Sequence, residues 1–240
     1  MAPEWSRLPW DSDFFGFTIG SARLDGLDAA GLAALDRDAR DAGVECLYGY
    51  LDPSDAYTTV LVQRYGWRFI EAATTFELRT TEPEIPVPPE YNYRQATPDD
   101  IPALTPIALQ MADWSRFAVD PRFGPDAARR VQMAWLERAA RAETGQHSAL
   151  LAEDDEGPVA FIGRVHEPPR VDAAGTIRRG SGAARALMQI AREWAGDRHL
   201  LSGPAAIRNV TVFRYVSHAY YRVKSVEYIY HRWLDEAPTG

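Results

Sequence analysis

Arg178–Leu187 reads RRGSGAARAL and runs into QIAREWA, Gln189–Ala195. Ala183, Leu187, Ile190, Ala191 and Trp194 recur at the helical period, so a helix is expected whose apolar face packs on a sheet. Its entrance carries two glycines and three alanines behind a pair of arginines. Backbone this bare lets an anion come close. The first-turn N–H groups point at it, the helix dipole attracts it, and Arg178, Arg179 and Arg185 can cover its outer oxygens. Other phosphate loops fit worse. A Walker loop, GxxxxGK(S/T), finds neither its lysine nor its hydroxyl here. The dinucleotide fingerprint GxGxxG requires glycine or alanine where Arg185 stands, and an acid after the next strand. An ordinary glycine-rich turn is the reading that needs no ligand.

The charge pattern around this stretch agrees with an anion. The 240-residue chain has a net charge of -8, unevenly spread: Gly157–Leu234 holds 12 Lys/Arg against 5 Asp/Glu, whereas residues 1–156 hold 14 against 27. The sign alone does not separate a nucleotide cofactor from a nucleic acid. With 46% hydrophobic and 25% charged residues the chain is ordinary globular material. A lone cysteine, Cys46, allows no disulfide framework, and neither a signal-type apolar region nor a run of ~18 apolar residues is seen. A soluble, cytoplasmic protein with no membrane partner is expected, monomeric or homodimeric. The five histidines are scattered without ligand spacing, so no metal site is expected.

The clearest break along the chain is TTEPEIPVPPEYN, Thr80–Asn92, with four prolines and no periodicity. It suggests a first domain over 1–80, a linker over 81–92 and a second domain over 93–240. The first part reads strand, helix, strand, helix, strand: FTIGSARL, an Ala/Leu helix ended by Gly43, VECLYGYL, a helix closing at Gly66, and RFIEAATTFEL. LPWDSDFFGF, before it, reads as a turn capped by Asp11 or Ser12 with its aromatics in the core. The second part reads strand (YRQAT), a helix with Thr97 as N-cap, a second amphipathic helix, a hairpin around the acidic turn DDEG, and a weak strand RVDAAGTI. The glycine-rich segment and its helix follow, then LLSGPAAI, the helix NVTVFRYVSHA and an aromatic strand. The parts echo each other: a helix closes on Gly66-Trp67 or Ala219-Tyr220, then an aromatic strand follows.

This order of elements around Arg-x-x-Gly-x-Ala resembles the GCN5-related N-acetyltransferase family over roughly Tyr93–Leu234. The resemblance implies an α/β (α+β) fold with a mixed, mostly antiparallel sheet flanked by helices. Within the family, LPWDSDFFGF, WSRFAVDPRF and IYHRWL look like the dTDP-fucosamine N-acetyltransferase branch, whose N-terminal unit is similar to a half acetyltransferase domain without a cofactor loop. It further implies coenzyme A diphosphate at Arg178, Arg179, Gly180, Ser181, Gly182, Ala183 and Ala184, and the pantetheine arm along the backbone of Asp172, Ala173, Ala174 and Gly175. Asn209 and Tyr215 match the family's asparagine and tyrosine, with Ala219-Tyr220 in its Gly-Phe place.

Acyl transfer to an amine needs a proton for the leaving thiolate. Tyr215, a phenol protonated at neutral pH, can give it. Glu167, after the hairpin strand, and its neighbour His166 are the candidates to take the amine's proton, with His218 one helical turn beyond Tyr215. Arg116 and Phe117, in DWSRF, suit an anionic, ring-bearing acceptor. The activity expected is transfer of an acetyl or other acyl group from a CoA thioester to a small-molecule amine, a nucleotide-linked amino sugar or a natural-product intermediate. Two alternatives stand beside it: an aminoacyl-tRNA or carrier-protein donor, and a non-catalytic ligand-binding module.

Overall fold

The computed structural model describes residues 4–78, 83–142, 145–218 and 221–236, the side chains of 217 and 218 excepted. In chain order the elements are β1 (Trp5–Arg7), α1 (Pro9–Phe15), β2 (Ile19–Arg23), α2 (Ala29–Asp41), β3 (Cys46–Leu51), α3 (Ala56–Arg64), β4 (Arg68–Leu78), β5 (Asn92–Gln95), α4 (Ile101–Leu109), α5 (Arg116–Val119), α6 (Ala127–Arg141), β6 (His147–Asp154), β7 (Gly157–Val165), β8 (Arg170–Thr176), α7 (Ala183–Ala195), β9 (Leu200–Ala206), α8 (Val210–His218) and β10 (Arg222–Trp233). The fold is the expected mixed α/β arrangement. α1 is the departure: the expected turn is a seven-residue helix with Pro9 in its first turn and Gly16 left-handed (φ 81) at its end. A segment that short shows no periodicity to read. Ser12 is buried there, donating to the Leu8 carbonyl at 2.7 Å and accepting from the Ile19 N–H at 3.0 Å. Among the described residues, no helix is long and apolar enough to cross a membrane.

The chain divides into two compact units, Met1–Ala73 with Val226–Gly240, and Thr74–Ser225. The division does not follow the proline-rich stretch, part of which (80–82) lies outside the described residues. β10 pairs antiparallel with β3 from Tyr228↔Leu51 to Trp233↔Cys46, so the last strand builds the first unit's sheet. Pairing across so long a sequence separation leaves no mark in local composition. In this unit β2 runs parallel to β3 and antiparallel to β1. Leu32, Leu35, Ala39 and Val62 of α2 and α3 pack with Leu47, Leu51, Trp67 and Tyr230. Gly49 is required there, because a Cβ would come within 2.5 Å of both Leu24 and Trp67.

In the second unit the strand order is β4-β9-β8-β7-β6-β5. β5, β6, β7 and β8 form an antiparallel ladder, and β8 meets β9 in parallel. The two sheet faces carry separate cores. Leu104 and Ile107 of α4 and Leu136 of α6 pack with Ala149, Leu151 and Phe161. On the other face Ala183, Leu187 and Ala191 of α7 pack with Leu150, Ala160, Ile162 and Val171. This is the period-2 alternation of a sheet buried on both sides. Thr97 caps as expected, in a capping box with Asp100. Arg94 joins Asp100 to Glu153, each at 2.7 Å, holding Asp100's carboxyl well below the ordinary range.

Candidate active site

The site grows from the way β8 is paired. Its ladder with β7 runs from Ala160↔Thr176 to Gly163↔Ala173, then shifts to Arg164↔Val171, which leaves Asp172 as the extra residue of a bulge. With β9 the pairing is confined to Arg170↔Leu201 and Val171↔Ser202. β8 continues to Thr176 and β9 to Ala206 without a ladder between them, so the strands part. The sequence of β9 explains the parting: Gly203 takes a left-handed turn (φ 105), and Pro204 has no N–H to offer. The wedge thus exposes the β9-facing edge of residues 172–176, main-chain groups that need a partner from elsewhere.

The glycine-rich loop lies at the open end of this wedge. Gly180 and Gly182 are both left-handed (φ 80 and 82), conformations the missing Cβ makes cheap. α7 starts at Gly182 without a side-chain cap, and its first helical bond runs from Ala186 N–H to the Gly182 carbonyl at 3.0 Å. Ser181 Oγ accepts from the Ala183 N–H at 3.3 Å. Among the described residues, the N–H groups of Arg179, Gly180, Gly182, Ala184 and Arg185 meet no protein acceptor. Arg179 of the loop and Arg185 of the first turn of α7 are exposed to solvent. Arg178 does not join them: its guanidinium pairs with Asp154 and, at 2.6 Å, with Glu156. The antiparallel β7–β8 ladder brings the acidic hairpin turn beside the loop, so these acids claim the arginine expected to cover an anion.

Tyr215 is brought to the loop. Its hydroxyl donates to the Ala184 carbonyl at 3.2 Å, in the first turn of α7, and burial raises its pKa against a smaller opposing effect of Arg185. The phenol is therefore a proton carrier at neutral pH. Asn209 caps α8, its Oδ1 accepting from the Val212 N–H at 3.2 Å. The neighbouring Tyr221 hydroxyl is buried and, among the described residues, meets no hydrogen-bond partner. Ala219, Tyr220 and the His218 side chain lie outside the described residues.

Three expected contributors stand elsewhere. Glu167 sits in the turn before β8, its side chain 74% exposed and 3.4 Å from Arg198. The length of β8, roughly 20 Å at ~3.3 Å per residue, separates it from the loop. His166 is bound to Ser148 Oγ at 2.9 Å and packs on Trp194, ring centroids 5.3 Å apart. Phe117 is buried, edge-on to Phe123 at 5.0 Å and under the Arg116 guanidinium at 4.9 Å, so it is core and not a stacking platform.

One carboxylate beside the wedge is a group the sequence marked only for its backbone. The bulge turns the Asp172 carboxylate over Gly163, where a Cβ would come within 2.8 Å of Asp172 Oδ1. It lines a small pocket with Gln132, Trp135, Arg138, His147 and Phe161. The residue keeps an exposed face, while the protein packed around its carboxylate pushes its pKa up, against the pull of Arg170, His147 and Arg138. His147 is shifted down, first by burial and then by Arg138, and so favours the neutral imidazole. A bulge cannot be read from RVDAAGTI, but an acid amid small residues was a visible signal. Arg208 was also missed. It donates from the β9–α8 loop to the carbonyls of Asp113 and Ser115 at 2.7 and 3.0 Å, tying the α4–α5 connection to the end of the wedge. Among the described residues, no group of three His, Cys, Asp or Glu is placed to hold a metal ion.

Comparisons with known proteins bear on this geometry. No protein-family model matches the chain. A dTDP-fucosamine acetyltransferase of Escherichia coli O6:H1 (strain CFT073) is 35% identical over 188 residues, 78% of this chain and 79% of the relative. Among solved structures, a GCN5-related N-acetyltransferase from Sphaerobacter thermophilus superposes with a TM-score of 0.61 at 17% identity, over 97% of this chain and 77% of that one. Another, from Kribbella flavida, reaches 0.57 at 19% identity, over 93% and 82%.

Proposed function

The chain belongs to the GCN5-related N-acetyltransferase family, and from that premise we propose that it transfers an acetyl group from acetyl-CoA to the primary amine of a small molecule. A nucleotide-linked amino sugar is the first candidate. The observation that carries the reading is the meeting of three features at one place: strands β8 and β9 parting after Val171, α7 starting with unclaimed N–H groups, and the Tyr215 phenol on the first turn of that helix.

The donor set fits the cofactor. The N–H groups of Arg179, Gly180, Gly182, Ala184 and Arg185 suit a diphosphate, with the side chains of Arg179 and Arg185 over its outer oxygens. The free edge of residues 172–175 suits the amides of a pantetheine arm. Bound acetyl-CoA supplies an acyl carbon open to attack by an amine, and a thiol as leaving group. Asp172, its basicity raised by burial, takes a proton from the acceptor's ammonium so that a neutral amine can attack. Tyr215, kept protonated by its surroundings, gives its proton to the departing sulfur. This assigns the base to Asp172 in place of Glu167.

The amino-sugar acceptor is supported by the name of the relative that is 35% identical to this chain over 188 residues. Incubation with acetyl-CoA and dTDP-4-amino-4,6-dideoxygalactose, read by mass spectrometry, is expected to add one acetyl group to the sugar nucleotide. Acetylation of other amines with this sugar untouched would retain the reaction and discard the acceptor. No acetylation of any amine would discard both.

A further inference from the structure

The proline-rich stretch is more than a connector. From residue 83 it lies along α7, in the opposite direction, through three contacts. The Arg192 guanidinium donates to the Pro83 carbonyl at 2.8 Å. The Ile85 N–H donates to Gln189 Oε1 at 3.0 Å, and the Ile85 side chain is buried in the α7 core. Pro88 lies against the start of the helix, where a Cβ on Gly182 would come within 3.1 Å of its Cγ. The carbonyl of Pro88 is held from the other side by the Tyr93 hydroxyl at 3.0 Å.

The lengths agree. Five extended residues from Pro83 to Pro88 span about 15 Å at ~3.1 Å each. Ten helical residues from Arg192 back to Gly182 also span about 15 Å at ~1.5 Å each. The strap is thus in register with the helix, and its tip falls on the residue at which α7 begins. Gln189 and Arg192 are both more than nine-tenths buried on a helix face otherwise made of Ala, Leu and Met. Polar side chains there need partners, and each finds one in the strap's backbone.

Resting on the CoA reading above, we infer that this strap is one wall of the diphosphate mouth, and that Gln189 and Arg192 are positioning residues that set cofactor affinity without touching the cofactor. Pro88 is suited to the tip. It has no N–H to compete for the anion, its φ is fixed, and its ring keeps water off one side of Gly182, so the open N–H groups act in a drier setting where they bind an anion more strongly.

Isothermal titration with CoA itself tests this. The wild type is expected to bind. Pro88→Gly, which removes the wall and leaves both anchors, should weaken CoA about tenfold with little change in melting temperature. Gln189→Leu, which releases the strap at Ile85, should do the same at some cost in stability, and Pro88→Gly carries the test where that variant folds poorly. For both, KM for acetyl-CoA should rise while kcat at saturation holds. Val87→Ser, at an exposed strap position away from Gly182, should bind like the wild type. Unchanged CoA affinity in Pro88→Gly would reduce the strap to a tether and overturn the inference. Tighter binding would make it a plug and overturn it as well. A wild type that binds no CoA would instead remove the cofactor reading, and this inference with it.

Discussion

α2 and α7 are both thirteen residues long, both follow a strand and a loop, and both pack an apolar face on a sheet. They differ in how they begin. At α2 the Asp28 carboxylate accepts from the Gly31 N–H at 2.8 Å, and α3 is closed alike by Asp55, which accepts from Thr58 at 3.0 Å. At α7 the same position is Gly182, which offers no side chain, and apart from the Ala183 N–H, taken by Ser181 Oγ, the first donors stay open. A missing N-cap costs a helix about 1 kcal/mol. The chain accepts that cost at the one of these three helices whose start lies beside a parted pair of strands. Of these three starts, two are closed by an aspartate and the third is left open by a glycine.

The most direct way to break this contrast is to give α7 a carboxylate. Gly180→Asp suits the purpose, since a Cβ there meets nothing within 4 Å and Asp tolerates a left-handed backbone better than most residues. A fixed negative charge beside a diphosphate costs several kcal/mol, so CoA affinity should fall about a thousandfold with the fold intact by circular dichroism. Binding within a few-fold of the wild type would mean that the open helix start is not the anion site.

A second pair of residues sharpens the contrast at the other end of the wedge. Asp172 and Glu167 are both acids near β8, one set by the bulge over Gly163 beside His147, the other at the far end of the strand beside Arg198. Asp172→Asn should lower kcat about a hundredfold, within the range for losing a general base, and leave CoA binding unchanged. Glu167→Gln should do neither. The pH profile separates them further. Because burial raises the Asp172 pKa, its basic form is lost as pH falls through a value above the ordinary aspartate figure of about 3.9. The acidic limb of kcat/KM should lie above that figure in the wild type and vanish in Asp172→Asn. A limb that persists in the variant would assign it to another group.

Tyr215→Phe is the next smaller effect. It deletes one hydroxyl at the first turn of α7, and kcat should drop by a few tens-fold while the dissociation constant for CoA stays within about threefold. A rise in that constant with kcat unchanged would turn the phenol from a proton donor into a binding group.

These contrasts were legible to different degrees. The open start of α7 was visible in RRGSGAARAL, because small residues, a helical period and the lack of a capping side chain are all local. Asp172 and Glu167 were confused because the difference between them is made by a bulge and a strand separation. Neither exists until β7, β8 and β9 are side by side. Arg178 looked like an anion ligand for the same reason, since the acids that hold it lie more than twenty residues upstream. The second half of β10 was assigned to the later part of the chain although it pairs with β3, a contact that spans most of the sequence. Phe117 and His166 matched the right chemistry in type, yet each is consumed by neighbours, Phe123 in one case and Ser148 with Trp194 in the other. Residue type and spacing revealed where donors were exposed, whereas which side chains were still unclaimed depended on long-range pairing.

The smallest effect tests the other half of the helix comparison. Asp28→Ala opens the start of α2 by removing its one carboxylate acceptor, so α2 comes to resemble α7 in having uncapped donors. Thermal or denaturant unfolding should show a loss of about 1 kcal/mol, the ordinary worth of such a cap. If an uncapped helix start were enough to hold a diphosphate, this variant would gain a second CoA site. It should not, because β2 and β3 stay paired from Ile19↔Cys46 to Arg23↔Tyr50 and leave no edge for the rest of the cofactor. Titration with CoA should therefore return the same stoichiometry and affinity as the wild type. A second binding event would show that open N–H groups suffice and that the parted strands contribute nothing to recognition. An unchanged titration beside a measured loss of stability would place the specificity in the pairing of a free helix start with a free strand edge.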